Sequence, residues 1–98
     1  MTNRIVFRQA ARIELQDAAS WYEEQRPGLG TEFLSEIDRT IDRAARAPFR
    51  GKPVANDVRR VSARRFPYAV YYRVRDDGLV ILAVFHGRRD PLAWQRRK

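Results

Sequence analysis

The chain reads as an α+β domain in which a helical hairpin packs on one face of a mainly antiparallel sheet. Three observations predict this. Apolar residues recur at helical spacing through two stretches parted by Pro27-Gly28-Leu29-Gly30. Three runs rich in β-branched and aromatic residues follow, over about 58–63, 68–75 and 79–86. A short apolar run, Ile5-Val6-Phe7, precedes them all. The expected order is β-α-α-β-β-β, and 98 residues make a single small domain, 1–98, with a basic tail at about 91–98.

Each element follows from its pattern. Ile5-Val6-Phe7 suits an edge strand. From Gln9 to Arg26, Ala11, Leu15, Ala18 and Tyr22 fall at i, i+4, i+7 and i+11, with Trp21 alongside. Pro27-Gly28-Leu29-Gly30 breaks that helix as a tight turn. A second helix runs from about 29–31 to Ala47, striped by Phe33, Ile37, Ile41 and Ala44 and stopped by Pro48. Asp42 and Arg46 stand at ion-pair spacing on it. Phe49 to Asp57, with Gly51 and Pro53, reads as a loop. Asp76-Asp77-Gly78 turns the last hairpin. A two-residue Asp77-Gly78 turn pairs Tyr72 with Ala83. A three-residue turn with a left-handed Gly78 pairs Tyr72 with Leu82, and one step moves the whole strand to the other face. In both registers Val70, Tyr72 and Val74 face the helices, while Ala69, Tyr71 and Arg73 face a partly solvated, arginine-rich side.

Charge is distributed unevenly. Residues 58–98 hold eleven Lys and Arg against three acids, the whole formal net charge of +8, while residues 1–57 balance to zero. The first half therefore reads as scaffold and the second as a cationic working surface for a polyanion or an acidic protein. Eighteen of the twenty cationic side chains are arginine, a bias that genome composition also produces. Hydrophobic residues make up 44% of the chain, enough for one modest core that a partner would stabilise. The chain has no cysteine, no membrane-length apolar run and no signal-peptide pattern, so the cytoplasm is the expected compartment.

The chemistry available is narrow. One histidine and no cysteine do not make a zinc site, so neither metal nor cofactor is expected. Ser20, Ser35 and Ser62 sit on no nucleophile turn, and Gly28-Leu29-Gly30 lacks the rest of a phosphate loop. What remains is arginine, tyrosine and His86 on a sheet. Such a set supports metal-free RNA cleavage, which needs a base, an acid and cations around the phosphate. It also suits simple polyanion binding. Trp94, in a charged tail, reads as a docking or partner-binding residue.

Phe66-Pro67-Tyr68-Ala69-Val70-Tyr71-Tyr72-Arg73-Val74, then Asp76-Asp77-Gly78, then Val84-Phe85-His86-Gly87-Arg88-Arg89-Asp90-Pro91, resembles the RelE/ParE superfamily of bacterial type II toxins. The helical hairpin, and Pro48 and Gly51 ahead of Val58-Arg59-Arg60-Val61, are similar too. The resemblance implies a toxin made with an acidic antitoxin, and a role in growth arrest or plasmid stabilisation. Its branches differ: RelE-like members cut mRNA on the ribosome, and ParE-like members poison DNA gyrase. Gly51-Lys52-Pro53 resembles an RNase branch, but Val54 stands where that branch has a glutamate and Ala69 where it has an arginine. The ParE-like reading is therefore preferred, with no catalytic residue. Under it, Arg88, Arg89, Trp94, Arg96 and Arg97 bind target or antitoxin. The alternative RNase reading rests on His86, Arg60, Arg73 and Tyr71, with ribosome and mRNA as partners. A further alternative is a non-toxic, arginine-rich module that binds nucleic acid.

Overall fold

The computed structural model describes residues 4–87. Strand β1 (Arg4–Phe7) leads into α1 (Gln9–Gln25) and α2 (Leu29–Arg46). A single 3-10 turn, Pro48–Arg50, precedes β2 (Lys52–Ala55), β3 (Val58–Ser62), β4 (Tyr68–Arg75) and β5 (Gly78–His86). The sheet order is β1-β5-β4-β3-β2, with β1 parallel to β5 and every other pair antiparallel. The α+β architecture is the one expected. The segment read as a loop adds a strand, because Lys52 and Pro53 pair with Arg60 and Arg59 across a turn where Asn56 has φ 49°. Pro53 is tolerated there because β2 is an edge strand.

The helical hairpin closes through one carboxylate. Glu23, in the last turns of α1, accepts from the N–H groups of Gly28 and Gly30, both at 2.9 Å, and so caps α2 from outside. Gly28 is left-handed at φ 91°. Gly30 lies where a Cβ would meet the Ala19 carbonyl at 2.5 Å, so the helices approach too closely for any side chain. Ala11 and Ala18 are buried on α1, and Phe33, Ile37, Ile41 and Ala44 are buried on α2. They meet Val70 and Tyr72 of β4 and Leu79, Ile81 and Val84 of β5 in one core. Tyr22, Phe33, Phe66 and Tyr68 join it as edge-to-face and tilted rings about 5 to 6 Å apart. Trp21, expected alongside the apolar stripe, stays exposed.

Neither expected register of the last hairpin is present throughout. The turn is Asp76-Asp77, with Arg75 opposite Gly78 and the left-handed residue at Asp76, φ 45°. Gly78 belongs to β5, and glycine is needed because a Cβ there would strike the Arg4 backbone of β1. Tyr72 pairs with Ile81 but Tyr71 pairs with Ala83, so Leu82 is the extra residue of a β-bulge. Beyond the bulge the register equals that of the three-residue turn, with Val70 opposite Val84 and Tyr68 opposite His86. Glu14 of α1 accepts from the Val84 N–H at 3.0 Å, just past the point where β1 stops pairing with β5.

The expectation of a partly solvated outer face is corrected. Val58, Ala69, Tyr71, Leu82, Ala83 and Phe85 form a second apolar cluster there, each 4% exposed or less. The bulge contributes by turning both Leu82 and Ala83 outward.

Candidate functional site

Where α2 ends against β2 and β3, the surface carries two adjoining hollows. One, of about 390 Å³, is lined by Arg43, Arg50, Lys52, Arg60 and Arg64 and by no acid. The other, of about 420 Å³, shares Arg43, Arg50 and Arg64 and adds Arg39 and Arg46, with Glu36 and Asp42. The shared residues make them one trough. Among the described residues, no ion pair engages Arg39, Arg50, Lys52 or Arg64, whereas Arg46 is held by Asp42 at 2.8 Å. Glu36 is buried and committed inward. Its Oε2 accepts from the Arg64 N–H at 2.8 Å, and that bond holds its carboxyl below the ordinary range against the opposing effect of burial. Arg39 and Arg43 act in the same direction.

The trough is shaped by a braced turn. Fully buried Tyr72 donates its hydroxyl to the Pro48 carbonyl at 2.8 Å, and burial pushes its phenol above the ordinary value. Arg59 donates to the carbonyls of Phe49 and Gly51 at 2.9 and 2.8 Å. The same guanidinium lies 5.3 Å from the centre of the Phe49 ring, which stays 68% exposed and lines a separate hollow with Arg46, Val74, Asp76 and Asp77. Arg43 is tied to the Ser62 carbonyl at 2.8 Å.

Of the residues named for RNA cleavage, Arg60, Tyr71 and Arg73 share one face of the sheet and His86 lies apart from them. Arg60 pairs with Tyr71 on the outer face, and Arg73 shares that face opposite Val58. His86 pairs with Tyr68 and meets its ring edge-on at 5.4 Å, on the helix side. Arg73 lies 3.3 Å from Asp57, which also takes Arg75 at 2.7 Å. The Arg75 hydrogen bond is the main reason the Asp57 carboxyl sits below its ordinary value. Among the described residues the buried Nε of Arg60 has no hydrogen-bond partner, and that of Arg73 has only its ion pair with Asp57. Arg88, Arg89, Trp94, Arg96 and Arg97 lie outside the described residues. Among the described residues no cluster of three or more metal-ligating side chains occurs, and no helix is long and apolar enough to cross a membrane.

The division into scaffold and cationic halves missed the trough. Its signal was present as Arg39, Arg43, Arg46 and Arg50, at i, i+4, i+7 and i+11. Asp38 and Asp42 hid that stripe from a count of net charge.

A helical hairpin over a mainly antiparallel sheet is the architecture that the resemblance to the RelE/ParE toxins implied. Residues 5–91 match the family model described as the ParE toxin of the type II toxin-antitoxin system, parDE. Toxin ParE2 of Mycobacterium tuberculosis, in strains CDC 1551 and H37Rv, is 31% identical over 94 residues, covering 95% of this chain and 90% of its own. The solved chromosomal ParDE TA system from P. aeruginosa superposes with a TM-score of 0.74 at 16% identity, over 86% of this chain and 95% of that one. The chain belongs to the ParE toxin family.

Proposed function

We propose that this chain inhibits DNA gyrase, trapping it on cleaved DNA, and is neutralised in the cytoplasm by a cognate acidic antitoxin. Family membership supports a toxin, and the choice of target is carried by one observation. His86 lies on the helix side of the sheet, while Arg60, Tyr71 and Arg73 lie on the other. A general base and the cations that would stabilise a phosphorane must converge within hydrogen-bond reach of one phosphate. Gyrase inhibition by binding requires no such convergence. The antitoxin reading draws on the parDE pairing and on the exposed Ile13, Trp21 and Leu34 of the hairpin, which suit an amphipathic segment folding on contact. The tail, with Arg88, Arg89, Trp94, Arg96 and Arg97, is assigned to the target or the antitoxin.

The test is a supercoiling assay with purified gyrase, run beside translating ribosomes whose mRNA ends are mapped. Inhibited supercoiling with intact mRNA supports the proposal. Cleavage at A-site codons that disappears in His86→Ala, with gyrase untouched, overturns it in favour of the RNase. Co-expression with a neighbouring gene that encodes a short acidic protein is expected to rescue growth.

A further inference from the structure

We propose that the trough beside α2 is a binding site for the phosphate backbone of duplex DNA, made by Arg39, Arg43, Arg50, Lys52 and Arg64. The inference deepens the gyrase reading by giving the toxin its own grip on the DNA. It depends on that reading only for its biological setting.

The first argument is charge that the fold leaves unspent. Arg39, Arg50, Lys52 and Arg64 have no ion-pair partner among the described residues, although Glu36 and Asp42 stand beside them. Glu36 is occupied by the Arg64 backbone and Asp42 by Arg46. Close-set cations that repel one another are stabilised by an anion of several charges.

The second argument is shape. At 1.5 Å per residue, Arg39 to Arg46 spans about 10 Å along α2. One strand of duplex DNA presents about three phosphates over that axial length. Arg50, Lys52 and Arg64 continue the row past the helix end, where hollows of about 390 and 420 Å³ give phosphates room to enter. Guanidinium forks match phosphate oxygens two at a time.

The third argument is order. The turn carrying Phe49 and Arg50 is fixed by Tyr72 and Arg59, so the row is ordered before the ligand arrives.

The full chain, freed of antitoxin, is titrated against a fluorescein-labelled 30-base-pair duplex between 50 and 200 mM salt, without gyrase. The expected slope of log K against log salt is about −4, from four or five phosphates at about −0.9 each. The triple variant Arg50→Ala/Lys52→Ala/Arg64→Ala is expected to lose about 2.7 units of slope and at least roughly tenfold in affinity. Arg4→Ala/Arg8→Ala/Arg12→Ala removes the same charge around β1, at the sheet edge opposite β2. It is expected to keep the slope and lose less than about threefold. Circular dichroism confirms that both variants fold. Equal losses in the two triples would overturn the site, as would polyglutamate displacing DNA from the trough with the higher affinity. Gyrase inhibition by the same proteins keeps the two readings apart. DNA binding lost in the trough triple, with gyrase untouched even by the wild type, sinks the gyrase reading alone. Gyrase inhibition with trough-independent DNA binding sinks this one alone.

Discussion

Replacing Gly51 by alanine tests whether one tyrosine sets the turn that shapes the trough. Gly51 has φ −61°, which any residue adopts, so the cost is one of contact rather than of backbone conformation. An added Cβ would fall against the Tyr72 hydroxyl, 2.9 Å from Cζ and 3.2 Å from Cε1. The ring has no free volume to move into, because Tyr72 is fully buried and its hydroxyl is bonded to Pro48. Overpacking of this kind costs about 1–3 kcal/mol. Breaking the Pro48 bond as the ring shifts adds about 1 kcal/mol. Tyr72→Phe alone removes the bond and costs about 1 kcal/mol, but it also removes the nearest atom that the new Cβ would strike. Gly51→Ala should therefore cost about 2–4 kcal/mol, and the double variant about the same instead of the sum, a coupling near 1 kcal/mol. Urea unfolding followed by far-ultraviolet circular dichroism measures all three at constant m. A change of 1 kcal/mol moves Tm by about 4–8 °C in a domain this small, well above error. Additivity within about 0.3 kcal/mol would refute the reasoning, because the contact would then not be the limiting one.

Phe33→Ala should cost about 3–5 kcal/mol in the same unfolding measurement, since Phe33 is fully buried among Tyr22, Phe66 and Tyr68. Glu23→Ala should cost about 1 kcal/mol by uncapping α2, with Glu23→Asp recovering little because the shorter side chain does not reach Gly28 and Gly30. Glu36 carries a pH signature. Its folded carboxyl is held low, so its contribution is complete above the unfolded value of ~4.3 and lost as pH falls through the folded value. The stability gap between wild type and Glu36→Gln should be constant above about pH 5.5 and shrink steadily below about 4.3; a gap that persists unchanged at pH 3 would count against the assignment. In NMR spectra the His86 ring should show cross-relaxation to Tyr68 and none to Arg73.

The helices were legible because their apolar stripes are long and regular. Phe33, Ile37, Ile41 and Ala44 all point inward, as their spacing requires. The inward face of β4 was legible too, since Val70 and Tyr72 join the main core and Val74 packs against it. β2 was not. Lys52–Ala55 has four residues, includes Pro53, and pairs only through β3, so nothing local marks it as a strand. The trough was barely legible: Arg64 lay in the half singled out for charge, but Arg39, Arg43, Arg50 and Lys52 lay in the half taken as scaffold. Net charge sums over sequence, whereas the trough depends on which acids the fold has already engaged, and only the hydrogen bonds of Glu36 and the ion pair of Asp42 reveal that.

The least legible residue had the largest consequence. With strict alternation from Ile81, which faces the core, His86 would fall on the outer face, the side that carries Tyr71 and Arg73. The extra residue Leu82 shifts the pairing by one, returns Val84 to the core, and brings His86 to Tyr68. The same shift turns Phe85 outward against Tyr71, with ring centres 5.5 Å apart, so both sheet faces gain an apolar side chain where a uniform strand would have misplaced each. Hydrophobic burial thus selects the bulged register: each misplaced large apolar side chain would forfeit about 1.5–3 kcal/mol, more than one unpaired backbone position loses. The separation of His86 from the outer arginines follows from that packing preference. The face on which His86 lies in this chain is accordingly a by-product of where β5 bulges.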